Sequence, residues 1–85
     1  MKSSTTAGFR SRLRALAPDV QNLARKNFKP WVRDAHHPSI QFKKVGRFWS
    51  ARVGLDHRAL AIMEQGRMKW FWIGAHDEYE RLIGG

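Results

Sequence analysis

Apolar positions along this 85-residue chain change their period near residue 39. Before that point they recur at helical spacing. Phe9, Leu13 and Leu16 stand at i, i+4 and i+7, with Thr5 or Thr6 placed to cap a first short helix. Pro18 suits the first turn of a second helix, with an apolar stripe of Val20, Leu23, Ala24, Phe28, Trp31 and Val32. Arg25, Lys29 and Arg33 fall at i, i+4 and i+8 on its outer side. Pro30 lacks an N–H and crowds the carbonyl four residues back, which predicts a kink or a stop near Lys29.

Beyond the segment DAHHPS, where Pro38 biases His37 towards extended backbone, the period falls to two. Four short runs rich in β-branched and aromatic residues follow, at 39–45, 48–53, 58–64 and 68–73. Gln65-Gly66 reads as a tight hairpin turn and Gly54-Leu55-Asp56 as a looser one, so these strands are predicted to be antiparallel neighbours. Gly74 ends the last strand. HDEYERLI then supplies a terminal helix, with Asp77 and Glu78 at its positive end and Gly84 closing it. The predicted architecture is α+β: an N-terminal helical hairpin packed on a twisted antiparallel sheet of about four strands, with a short C-terminal helix, all in one domain spanning 1–85.

Alternation assigns the faces. In the second run Trp49, Ala51 and Val53 point one way and should face the helices, leaving Phe48, Ser50 and Arg52 on the other side. The third run is apolar on both faces after Arg58, which predicts a central strand with Arg58 at its mouth.

Charge adds a direction to this picture. Residues 1–47 hold 11 of the 16 Lys and Arg against two acids, whereas residues 48–85 balance five against five, so the whole net charge of +9 belongs to the first half. With a sequence pI of about 11.2, the natural partner is a polyanion or an acidic protein. Cysteine is absent, which excludes disulfides and thiolate metal sites. The adjacent His36 and His37 have no nearby carboxylate pair to complete a zinc site, so no metal is expected. No apolar run approaches the roughly 20 residues that span a bilayer, and MKSSTTAGFRSRL has no apolar core for secretion. A soluble, cytoplasmic protein with no membrane partner is expected.

The candidate chemistry lies in RFWSARVGLDHRALAIMEQGRMKWFWIGAHDEYERLI. Arg52, Arg58, His76 and Tyr79 sit on successive predicted elements there. Guanidiniums beside an imidazole, which exchanges protons near neutral pH, suit binding and cleaving a phosphodiester. Tyr79 shares its helical stripe with Leu82 and Ile83, so it reads equally as a core anchor. Trp49, Trp70 and Trp72 read as core or cross-strand packing. Lys43, Lys44 and Arg47, with Arg25, Lys29 and Arg33 on the second helix, are candidates for contact with an RNA backbone.

FWSARVGLDHRALAI followed by a strand and GAHDEYERLI resembles the RelE/ParE superfamily of type II toxin–antitoxin toxins, and FWSxR with HR is similar to its YoeB branch. The resemblance covers roughly residues 5–83. It implies a ribosome-dependent mRNA endonuclease that uses 2′-OH attack without a metal or small-molecule cofactor, with the ribosome, mRNA and a neutralising antitoxin as partners. Arg58 matches the strand arginine of the HR motif and would bind phosphate charge, assisted by Arg52. His76 falls where members place a C-terminal histidine or arginine, and Tyr79 would orient or stack on the nucleotide. Where the YoeB branch has a glutamate before its second strand this chain has Pro38 and Ser39. Where RelE has a strand lysine it has Ser50. That leaves the base to His76, with Lys43 or Lys44 in reserve. Two alternatives stay open: a ParE-type gyrase inhibitor, and a non-catalytic basic module that binds RNA or the ribosome.

Overall fold

The computed structural model describes residues 3–33 and 43–84, with the backbone alone for 27–33. The loop DAHHPS, the start of the first predicted strand, and the side chains of Phe28, Lys29, Trp31, Val32 and Arg33 lie outside the described residues.

The chain begins with a short strand, β1 (Ser3–Thr5), then α1 (Ala7–Arg14) and α2 (Pro18–Arg33). Thr6 caps α1, its hydroxyl accepting from the Phe9 N–H at 3.0 Å. Pro18 opens α2 as expected. The helix runs on to Arg33 without the stop near Lys29 that Pro30 predicted. Strands β2 (Lys43–Val45), β3 (Phe48–Val53), β4 (His57–Glu64) and β5 (Arg67–Ala75) lead into α3 (His76–Gly84).

The sheet order is β1-β5-β4-β3-β2, which makes β4 central as its two apolar faces imply. Five strands replace the four expected, and the sheet is mixed, because β1 pairs parallel to β5. The remaining pairs are antiparallel. Gln65 (φ 52°) and Gly66 (φ 75°) both adopt left-handed backbone between β4 and β5, the geometry of a two-residue turn whose twist matches the strands.

A core lies on each face of the sheet. On one, Phe9 of α1 and Ala24 of α2 pack on Ala51, Val53, Ala59, Ala61, Met68, Trp70 and Ile73, joined by Leu13, Leu16 and Trp49. Three small alanines at the centre leave room for the Phe9 and Trp70 rings. On the other, Leu60, Trp72 and Tyr79 form a second cluster with Phe48, Phe71 and Ile83, so α3 covers part of the face that carries Arg52.

Strict alternation would put Trp70 and Trp72 on one face. A bulge prevents this: Leu60 opposes Trp72 while Ala61 opposes Trp70, and the extra residue Phe71 shifts the parity. Trp70 therefore enters the helical core and Trp72 the α3 side. Gly74 makes room for Trp72, since a Cβ there would lie 2.6 Å from the indole Cζ2. Gly74→Ala is expected to lower unfolding free energy by about 1–3 kcal/mol through overpacking. Urea denaturation checks this, and an unchanged midpoint would refute the contact.

Candidate functional site

Hairpin register brings the two strand arginines together. Arg52 and Arg58 are Cα partners across β3 and β4, adjacent to the β3–β4 turn. Alternation places both on the α3 side of the sheet, with Ser50 and Leu60. Both are half-buried. Arg52 Nε donates to the Gly54 carbonyl at 3.0 Å, and Arg58 Nη1 donates to the His57 carbonyl at 2.8 Å. Backbone carbonyls in the turn and at the start of β4 thus steady the two guanidiniums. Like charges directly opposite one another on a sheet destabilise it, and an anion between them removes that cost. A guanidinium presents five N–H donors in a planar fork, so one carbonyl leaves Arg58 donors to meet two phosphate oxygens.

His76 begins α3 at the same end of the sheet. Arg58 opposes Gly74, two residues before His76, and the His76 N–H donates to the Asp56 carbonyl at 2.8 Å. The start of α3 is thereby tied to the turn between the arginine strands. The His76 Nε2 lies 3.0 Å from Glu80 Oε1, one helical turn on. Its ring centroid is 6.1 Å from that of Tyr79. Around it Leu55, Asp56, His57, Ala75 and Asp77 complete a depression of about 330 Å³. Arg52 and Arg58 do not line that depression; they neighbour it through the strand register.

Tyr79 is only 3% exposed and packs with Leu60 and Trp72, the core-anchor reading of its stripe. Its hydroxyl is buried and has no hydrogen-bond partner among the described residues. Leaving a buried donor unsatisfied costs about 1–3 kcal/mol, so Tyr79→Phe is expected to raise unfolding free energy by about 1 kcal/mol. A lower urea midpoint for this variant would show that the hydroxyl is bonded in the native state.

The candidate RNA-contacting residues divide between the two faces. Lys43 opposes Ser50, on the side of the arginine pair, and Arg47 lies over the Phe48 ring at 5.3 Å. Lys44 opposes Trp49 and sits 5.9 Å from its ring, which puts it on the helical side. Arg25 is exposed on α2, its Nη2 donating to Gln21 Oε1 at 3.4 Å. The side chains of Lys29 and Arg33 lie outside the described residues.

Glu80 is a member of the site that the sequence reading passed over. The signal was present as His-x-x-x-Glu, the i, i+4 spacing that makes neighbours on a helix. Among the described residues no group of three or more His, Asp or Glu is arranged to hold a metal ion. None of the described helices is long and apolar enough to cross a membrane.

No family model matches the chain, and no curated protein matches it in sequence. Solved structures do match in fold. The RelE toxin in the RelB–RelE antitoxin–toxin complex of Methanococcus jannaschii superposes with a TM-score of 0.72 at 8% identity, over 93% of this chain and 96% of that one. The YoeB/ParE toxin of Agrobacterium tumefaciens gives 0.70 at 13% identity, over 89% and 99%. YafQ of E. coli gives 0.72 at 7% identity, over 92% and 96%. Near-complete coverage in both directions means that the helical hairpin, sheet and terminal helix correspond as one unit. This chain has the fold of the RelE/ParE superfamily of toxins.

Proposed function

We propose that this protein is the toxin of a type II toxin–antitoxin system and that it cleaves ribosome-bound mRNA. The observation that carries the reading is the facing pair Arg52 and Arg58, set beside the start of α3 in a RelE-type fold. In this reading the two guanidiniums hold the non-bridging oxygens of the scissile phosphate and supply the positive charge that the transition state requires, so the reaction needs no metal. His76, oriented by Glu80, takes the proton from the ribose 2′-OH. The 2′-oxygen attacks phosphorus, the P–O5′ bond breaks, a 2′,3′-cyclic phosphate forms, and the departing O5′ takes a proton from water.

The ribosome and mRNA are the partners this chemistry needs, and they place the protein in the cytoplasm. An acidic antitoxin is the other partner, favoured by the net charge of +9 and by the antitoxin-bound state of the Methanococcus jannaschii toxin. Induction of the chain without an antitoxin tests the proposal. Growth arrest with cleaved ribosome-bound transcripts supports it; unaffected growth with intact transcripts sinks it. Inhibition of DNA supercoiling with intact transcripts would move the target to gyrase.

A further inference from the structure

The bulge in β5 builds a second feature on the arginine face. Phe71 is turned towards Phe48, the ring centroids 5.5 Å apart and tilted by 51°. With Arg47, Ile62 and Met63 they line an open depression of about 460 Å³. Both phenylalanines are half-buried and rest on Leu60 and Trp72, so the aromatic floor is held from beneath. Arg47 reaches over the Phe48 ring from the β2–β3 turn.

From this arrangement we infer a stacking subsite for one unpaired nucleobase of single-stranded RNA. The inference rests on the nuclease reading and deepens it by assigning a place to a base away from the scissile phosphate. Phe48 and Arg52 share a face of β3 four residues apart, which is roughly 13 Å along a strand. A single-stranded chain bridges that interval in a few phosphodiester steps. Lys43, opposite Ser50 and so between Phe48 and Arg52 along the strand, carries positive charge on the same face, whereas Lys69, opposite Ile62, is paired with Glu64 at 3.4 Å. A polyanion therefore meets favourable charge on the way from the arginine pair to the aromatic floor.

The floor suits a planar base better than an aliphatic side chain. Two tilted rings offer π-faces, and the Arg47 guanidinium, 5.3 Å from the Phe48 centroid on an exposed turn, would swing outward to admit a base and cover its outer side, combining aromatic and Arg-plane stacking. Stacking of this kind tolerates any base, since each has a π-face. The subsite would accordingly position the strand without reading its sequence.

The test measures binding of a short single-stranded RNA, 2′-O-methylated against cleavage, and of a series in which one abasic position is moved along it. Fluorescence anisotropy at low salt compares the parent with Phe48→Leu, which keeps apolar bulk, and with Arg47→Ala, whose side chain is exposed at the turn. The expected result is one position at which removing the base weakens binding to the parent about tenfold. At that position Phe48→Leu and Arg47→Ala weaken binding to the intact RNA but not to the abasic one, the non-additivity of a direct contact. Equal weakening with and without the base, or none at any position, overturns the subsite. So does a Phe48→Leu variant that binds RNA normally but loses an acidic peptide, which would assign the floor to a protein partner. Arg58→Ala separates the two readings: binding that depends on Arg58 but not on any base removes the subsite alone, whereas binding indifferent to Arg58 removes the phosphate site.

Discussion

Arg58→Ala is expected to slow cleavage of ribosome-bound mRNA by about 10²–10³-fold, the usual loss when a fixed donor to the transition-state charge is removed. The argument is geometric. Arg58 faces Arg52 across the β3–β4 hairpin, and its Nη1 is held by the His57 carbonyl, so its position is set before substrate arrives. Arg58→Lys is expected to fall between parent and alanine, because an ammonium keeps the charge but loses the planar fork that meets two oxygens together. Arg58→Ala should not lower the urea midpoint. Relieving two like charges on opposed strands favours the folded state by about 0.2–1 kcal/mol, against the lost packing of the Arg58 stem. Single-turnover cleavage on programmed ribosomes, with stability measured on the same preparations, checks both halves. An alanine variant that cuts as fast as its parent rules out the phosphate assignment, and a variant that is slow only because it unfolds rules out the proposed division between activity and stability.

Trp72→Ala is expected to be the most damaging core change on the α3 side, at about 3–5 kcal/mol. Trp72 is 6% exposed and packs with Leu60 and Tyr79. Arg12 lies over its ring at 5.5 Å and meets Glu78 of α3 at 3.6 Å, so α1, β5 and α3 are connected around one indole. A domain of this size has a total stability on the order of 5–15 kcal/mol, so the loss takes a large share of it. The effect is also local in its consequence. Tyr79 and Ile83 hold α3 to this cluster, and α3 begins with His76. Backbone amide exchange should therefore accelerate in α3 more than in β3 and β4. Trp72→Phe keeps most of the apolar surface and gives the same pattern at lower amplitude if the full truncation does not fold. Uniform acceleration across the sheet would show that the indole supports the whole domain and does not selectively anchor α3.

Much of this architecture was legible in residue order because its causes are local. Alternation alone sent Trp49, Ala51 and Val53 to the helices and Arg52 to the other side, since successive strand side chains must point oppositely. The turn at Gln65-Gly66 followed from the need for positive φ at two consecutive positions. The arginine pair is a consequence of the same logic, because a short hairpin loop dictates which residues face each other. What escaped the reading depends on partners distant in sequence. β1 is three small polar residues with no alternation to betray a strand, and it exists because Ser3, Ser4 and Thr5 find Met68, Lys69 and Trp70 alongside. The continuation of α2 through Pro30 shows local propensity giving way to the rest of the helix.

The sequence by itself determined the order and type of the main elements, the central place of β4, and the presence of two arginines on one face of one hairpin. Those outcomes require only the period of apolar positions and the chemistry of turns. Tertiary structure alone decided that Phe71 is an extra residue in β5, that Trp70 and Trp72 part to opposite cores, and that α3 lies against the arginine face with His76 tied to Asp56. A bulge and a helix docking are settled by which packing fills both faces of the sheet at once, and that is a property of the assembled layers that no stretch of residues carries alone.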